Sequence, residues 1–222
     1  MKLKGVIFDM DGLMIDSERG TFNEIVKFLK GTEYQMDEDT YKKLLGKNTV
    51  TSAKLLRELY DDNFPIEKMH KETLTNLDKG FMENGVPIKE GLIELLEYLK
   101  ENDIQLIVAS SSAKERVSKI LAKADVLKYF NNTICGNEVT HGKPDPEIFL
   151  KACDHLNLST DEVIVLEDSE AGLLAASNAG IKSICVVDMK YPDPQYAKLP
   201  IKIFNSLLEV QSFLKENKLV ID

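Results

Sequence analysis

Apolar and polar positions divide the chain into two regimes. From about residue 90 onward, short runs that are apolar on both faces alternate with stretches of helical period. Ile104–Ala109 (IQLIVA), Val163–Leu166 (VIVL) and Lys182–Val187 (KSICVV) are such runs, and Asn132–Cys135 is a shorter one. Runs without alternation mark strands buried on both faces, as in a parallel sheet covered by helices. Between them, Leu92, Leu95, Leu96 and Leu99 fall at i, i+3, i+4, i+7, as do Val117, Ile120, Leu121 and Ala124. That spacing lines one face of a helix. Local punctuation agrees. Ser112 and Glu115 have the spacing of a capping box, Asp145 precedes Pro146 as an N-cap precedes a first-turn proline, and Gly180 stands where a helix would end left-handed. The pattern predicts a doubly wound, Rossmann-like α/β core.

Residues 17–88 follow a different rule. Phe22, Ile25, Val26 and Leu29 give one amphipathic helix, Leu55, Leu56 and Leu59 a second, and Leu74, Leu77 and Phe81 a third, with no strand-like run among them. The apolar run Leu3–Asp9 stands alone before this stretch. A single parallel strand has no stability of its own, so it is expected to rejoin the later strands. The predicted organisation is therefore a core of residues 1–16 and 89–222, with an all-helical domain, 17–88, inserted as a lid over one end.

Composition narrows the setting. The chain has 222 residues, 43% of them hydrophobic, and a formal net charge of −9. A surface of that sign repels nucleic acid and anionic membranes, so no nucleic-acid or membrane partner is expected. An anionic small molecule would have to be received locally, by a metal or a few placed cations. Cys135, Cys153 and Cys185 are odd in number and form no CxxC, which points to buried free thiols in a reducing compartment. The expectation is a cytoplasmic monomer.

In doubly wound sheets, ligands bind outside the carboxyl ends of the strands. Here those ends carry Asp9 and Asp11, then Ser110 and Ser111, then Glu167 and Asp168, while the loop HGKPDP contributes Lys143. Carboxylates with no His or Cys among them suit a hard cation such as Mg²⁺, which takes oxygen ligands and usually accompanies a phosphate. Lys143, Ser110, Ser111 and main-chain N–H groups at the following helix start would bind phosphoryl oxygens. A carboxylate can attack phosphorus, provided a second group handles the proton. Residues i and i+2 of an extended stretch share a side, so Asp9 and Asp11 would face the same crevice while Met10 turns away. In the insert, Lys47 and Asn48 are candidate substrate contacts.

These motifs (FDMDG with DSE, ASSS, GKPDPEIF and LEDSEAG, in that order) resemble the haloacid dehalogenase-like phosphatase superfamily. Within it, the chain is similar to the β-phosphoglucomutase and phosphoglycolate phosphatase-like branch with a small helical cap. The resemblance implies Asp9 as nucleophile and Asp11 as general acid/base, with Ser110 and Lys143 on the phosphoryl group. Mg²⁺ would be held by Asp168, Glu167, Asp9 and the Asp11 backbone carbonyl. Sugar-phosphate mutases of the branch resemble one another in a cap histidine and a cap arginine, where this chain has Thr21 and Thr49. Hydrolysis of a small soluble phosphate ester is therefore the expectation, with a phosphohexomutase as first rival. A receiver-like phosphoacceptor is the second, although Lys143 precedes the last acid pair, unlike the receiver order.

Overall fold

The computed structural model describes residues 2–47 and 49–220; Asn48, one of the expected substrate contacts, lies outside them, as does the side chain of Thr49. Among the described residues, six strands form one parallel sheet: β1 (Gly5–Phe8), β2 (Gln105–Ser110), β3 (Asn132–Cys135), β4 (Val163–Glu167), β5 (Lys182–Val186) and β6 (Lys202–Phe204), in the order β3-β2-β1-β4-β5-β6. The stranded segment at the start of the chain thus rejoins the later ones as an interior strand. Its register, Val6–Phe8 against Leu106–Val108 on one side and Ile164–Leu166 on the other, sets the carboxyl ends of three strands flush.

Period-two alternation explains the layers. Val6, Phe8, Leu106, Val108, Ile164 and Leu166 project to one face, where α5 (Leu92–Glu101), α6 (Lys114–Lys123) and α9 (Leu207–Glu216) cover them. Ile7, Ile107, Ala109, Val163 and Val165 project to the other, under α7 (Glu147–Leu156) and α8 (Glu170–Asn178). Helices on both faces are why the strands carry no polar alternation. Cys135, Cys153 and Cys185 are buried thiols outside any disulfide. Gly180 has φ +70° just past α8, as a left-handed helix end requires.

β6 and α9 are absent from the sequence pattern above. β6 is three residues at the sheet edge and only part-buried, too short to show a period.

Between β1 and α5, the described residues of the insert form four helices: α1 (Ser17–Leu29), α2 (Glu38–Lys42), α3 (Thr49–Leu59) and α4 (Ile66–Asn84). They share an apolar cluster that includes Ile25, Leu29, Met36, Tyr41, Leu56, Phe64, Ile66 and Met69. Leu77 and Phe81 of α4 instead join the cluster beneath the sheet. The chain enters and leaves this insert through a narrow neck, where Asp16 N–H donates to Pro87 O (2.8 Å) and Lys89 N–H to Met14 O (2.9 Å). No described helix is long and apolar enough to cross a membrane.

Truncation should separate the layers from the surface. Ile7→Ala removes a fully buried side chain and is expected to lower unfolding free energy by about 3 kcal/mol. Leu150→Ala, at a site 40% exposed on α7, should stay within about 0.5 kcal/mol of wild type. Urea denaturation of the two variants checks the assignment.

Candidate active site

The flush strand ends place Asp9 beside Ala109 on one side and Glu167 on the other. Asp9 N–H extends the ladder by one bond, to Leu166 O (3.1 Å). Into this row reaches Lys143, whose Nζ donates to Asp9 Oδ1 (2.6 Å), Glu167 Oε1 (2.6 Å) and Ala109 O (3.1 Å). An ammonium has three protons, and each finds an acceptor here. The Phe149 ring centroid lies 5.0 Å from Nζ, adding a cation–π contact. The Lys143 loop is pinned on both sides: Asp145 N–H bonds Gly142 O (3.1 Å), and Asn178 Nδ2 donates to Pro144 O (3.0 Å). Asp145 accepts from Glu147 N–H (2.9 Å) at the start of α7, although the N-cap position falls on Pro146 rather than on the expected Asp145.

Burial is the largest influence on Lys143 and acts to lower its pKa, but Asp9 and Glu167 outweigh it and hold the ammonium above the usual lysine value. Burial likewise dominates at Asp9 and pushes its carboxyl up, with Lys143 opposing. Lys143 is therefore the group that favours the Asp9 anion, against a net upward shift.

Glu167 is fully buried. Its Oε2 accepts from Asp168 N–H (2.9 Å), Ser169 N–H (2.8 Å) and Ser169 Oγ (2.9 Å), while Ser169 Oγ also caps α8 through Gly172 N–H (3.1 Å). A Cβ on Gly172 would overlap the Glu167 carboxylate. Asp168 is the opposite case. Its Oδ1 is buried with no hydrogen-bond partner among the described residues, and burial, Glu167 and Asp9 push its pKa well up. Ligand oxygens of Asp9, Glu167 and Asp168 lie within 4.8 Å of one another. A buried, unpartnered carboxylate oxygen in an acidic cluster is what a hard divalent cation would satisfy, so the donor set fits Mg²⁺.

Asp11 reaches the same cavity after Met10, which is fully buried in the core. Gly12 follows with φ +85°, and a Cβ there would collide with Asp168; only glycine meets both conditions. The Asp11 carboxylate accepts from Arg116 Nη1 at both oxygens (3.0 Å each) and from Ser112 Oγ (2.9 Å). Ser112 is thus not the helix cap its spacing suggests: α6 begins at Lys114 after Ala113, and the Ser112 hydroxyl serves Asp11.

A cavity of 360 Å³ collects Asp9, Asp11, Ser110, Ser111, Lys143 and Asp168, together with Lys47 from the insert. Ser110 Oγ accepts from Ser112 N–H (3.1 Å), so its own proton is available to donate. Glu167 stands behind Lys143 rather than in the wall. Thr21 lines a separate cavity of 130 Å³ inside the insert, beside Ile25, Met69 and Thr73. Three residues with no role in the sequence reading also meet here: Arg116, and Glu18 and Asp188 in the cavity wall. Arg116 stands one helical turn after Ser112, a spacing that would have aimed it at the strand end. Glu18, in the first turn of α1, accepts from Tyr41 OH (2.5 Å), and burial pushes its pKa up to about 7.

A family model described as haloacid dehalogenase-like hydrolase matches residues 6–186. The phosphorylated carbohydrates phosphatase of Thermotoga maritima is 32% identical over 184 residues, 82% of this chain and 84% of its own. The beta-phosphoglucomutase of Bacillus subtilis is 28% identical over 193 residues, 83% of each chain. Among solved structures, beta-phosphoglucomutase from Clostridium difficile superposes with a TM-score of 0.77 at 21% identity, covering 98% of this chain and 97% of its own; at that identity the likeness concerns the fold.

Gly172→Ala should displace Glu167 and cost about 2 kcal/mol in chemical denaturation, as overpacking does. Glu18 binds its proton more tightly folded than unfolded, so its contribution to stability is complete below the ordinary value of 4.5 and is lost as pH rises through about 7. In chelator, Glu18→Gln is therefore expected to raise the melting temperature at pH 8 but not at pH 4. An equal shift at both would contradict the burial effect.

Proposed function

This chain belongs to the haloacid dehalogenase-like hydrolases, and on that footing we propose that it is a Mg²⁺-dependent phosphomonoester hydrolase acting on a small phosphate ester such as a sugar phosphate. The observation that carries the reading is the Lys143 bridge between Asp9 and Glu167, set beside the unpartnered Asp168 oxygen. It favours the anion of one buried carboxylate facing the cavity and leaves another in need of a cation.

Asp9 attacks phosphorus, forming an acyl phosphate as the ester P–O bond breaks. Asp11 gives its proton to the departing oxygen and then takes one from the water that hydrolyses the acyl phosphate. Lys143, the Ser110 hydroxyl and Ser111 bind the phosphoryl oxygens. Asp9 and Asp168, with Glu167 and the Asp11 carbonyl, would hold Mg²⁺, which supplies neutralising charge to the phosphoryl group. The helical insert serves as the cap that excludes bulk water, and Lys47 and Glu18 face the leaving group.

The cavity wall favours hydrolysis over mutation of a hexose phosphate. A mutase must seat a second phosphate, yet among the described residues the insert offers Lys47 opposed by the carboxyl of Glu18, and Lys190 of the core is taken by Glu170 (2.8 Å) and Asp193 (3.0 Å). The receiver reading has the sheet against it, since receivers use the strand order 2-1-3-4-5 and this sheet is 3-2-1-4-5-6.

Phosphate release from a panel of sugar phosphates, nucleotides and phosphoglycolate at fixed Mg²⁺ tests the reading. Multiple turnover is expected; accumulation of hexose 6-phosphate from hexose 1-phosphate plus bisphosphate, without free phosphate, would establish the mutase instead. Asp9→Asn should lower turnover by about 10³-fold or more with the fold retained. Asp168→Ala should raise the Mg²⁺ requirement by about 10-fold or more, and an unchanged metal titration would remove it from the ligand set.

A further inference from the structure

Arg116 is buried to 10% side-chain exposure at the seam between core and insert. Its Nη1 donates to both Asp11 oxygens (3.0 Å) and to Ser112 Oγ (2.9 Å), while its Nε donates to Asp78 Oδ1 (2.9 Å). Arg116 and Ser112 belong to the core, before and within α6, whereas Asp78 lies on α4 of the insert. One guanidinium therefore joins the insert to the carboxylate next to the nucleophile. Because the guanidinium is a rigid plane, its Nε and Nη1 donors cannot be re-aimed independently. Where Asp78 sits fixes where Nη1 points. Ser112 completes the hold, accepting from Arg116 and donating to Asp11 Oδ2.

We propose that Arg116 is a positioning residue through which the placement of the insert over the core sets the orientation of Asp11. Asp78 fixes the guanidinium, and the guanidinium with Ser112 fixes the carboxyl group. This rests on the reading that Asp11 protonates the leaving oxygen. In that step the Asp9 oxygen–phosphorus bond forms, the ester oxygen–phosphorus bond breaks, and a proton that the Asp11 carboxylate takes up from the monoanionic ester on binding passes to the ester oxygen. When the insert swings away, Asp78 goes with it, and Asp11 loses the frame that aligns it. Proton delivery is thereby confined to the arrangement in which the insert covers the substrate.

The test uses leaving groups. p-Nitrophenolate departs without a proton, whereas a sugar alkoxide does not, and kcat/KM reports only steps up to ester cleavage. Asp11→Asn should lower kcat/KM for a sugar phosphate at least about 10-fold more than for p-nitrophenyl phosphate, within the range of general-acid effects. Asp78→Asn, at a site one-third exposed, and Arg116→Lys are expected to show the same preference, about 5-fold or more. Asp78→Asn added to Asp11→Asn should bring no further preference. If Asp78→Asn and Arg116→Lys leave the ratio between the two substrates unchanged while Asp11→Asn alters it, the positioning role is overturned and the acid assignment stands. If Asp11→Asn itself leaves the ratio unchanged, both fall.

Discussion

A lysine ammonium sealed between two carboxylates is costly to bury and severely destabilising to break, because removing one partner strands a charge. Lys143 occupies that position between Asp9 and Glu167, and its third proton goes to the main chain of β2. Much of the surrounding structure follows. Three strands must end flush, or the three acceptors would not meet. The second oxygen of Glu167 must be tied down by the α8 start, and α8 must carry glycine at residue 172 so that the carboxylate has room. The loop bearing Lys143 must be held at Gly142 and Pro144. Site and folding thus draw on the same contact: the ammonium that faces Asp9 in the cavity also ties together the ends of three strands.

The cavity is more acidic than a site for an anion would be by itself. Asp9, Asp11, Glu18, Asp168, Glu170 and Asp188 all face it, against Lys143, Lys47 and Lys190. Four of the acids are paired with a cation within the protein: Asp9 with Lys143, Asp11 with Arg116, Glu170 with Lys190 and Asp188 with Lys89. Asp168 is not. Asp168 is the place in that wall where a divalent cation would offset the remaining negative charge.

The strands under two helical layers could be read from sequence because burial on both faces makes them continuous apolar runs. β6 could not, being three part-buried edge residues, and α2 has five residues and no usable period. α9 was legible in principle, since Leu207, Val210 and Leu214 keep helical spacing and Ser206 caps it through Glu209 N–H. Asp9, Asp11, Ser110, Lys143 and Asp168 stood out because each follows a strand or precedes a helix cap. Asp78 and Glu18 did not, because their partners are set by tertiary packing, Asp78 by that of the insert on the core and Glu18 by that of α2 on α1; Arg116 offered only its one-turn spacing from Ser112. Thr21, which stands where mutases of the branch carry a histidine, lines the small cavity within the insert instead of the one at the strand ends.

The neck at residues 14–16 and 87–89 has a consequence beyond motion. Entry and exit of the insert lie side by side and hydrogen-bond to each other rather than to the sheet, so the core experiences the intervening residues as a single short closed loop. Chain length and helix count inside that loop are nearly irrelevant to the strands below. The fold is therefore modular in an evolutionary sense. One contiguous stretch, from α1 to α4, can be exchanged while the residues at the strand ends below it keep their places.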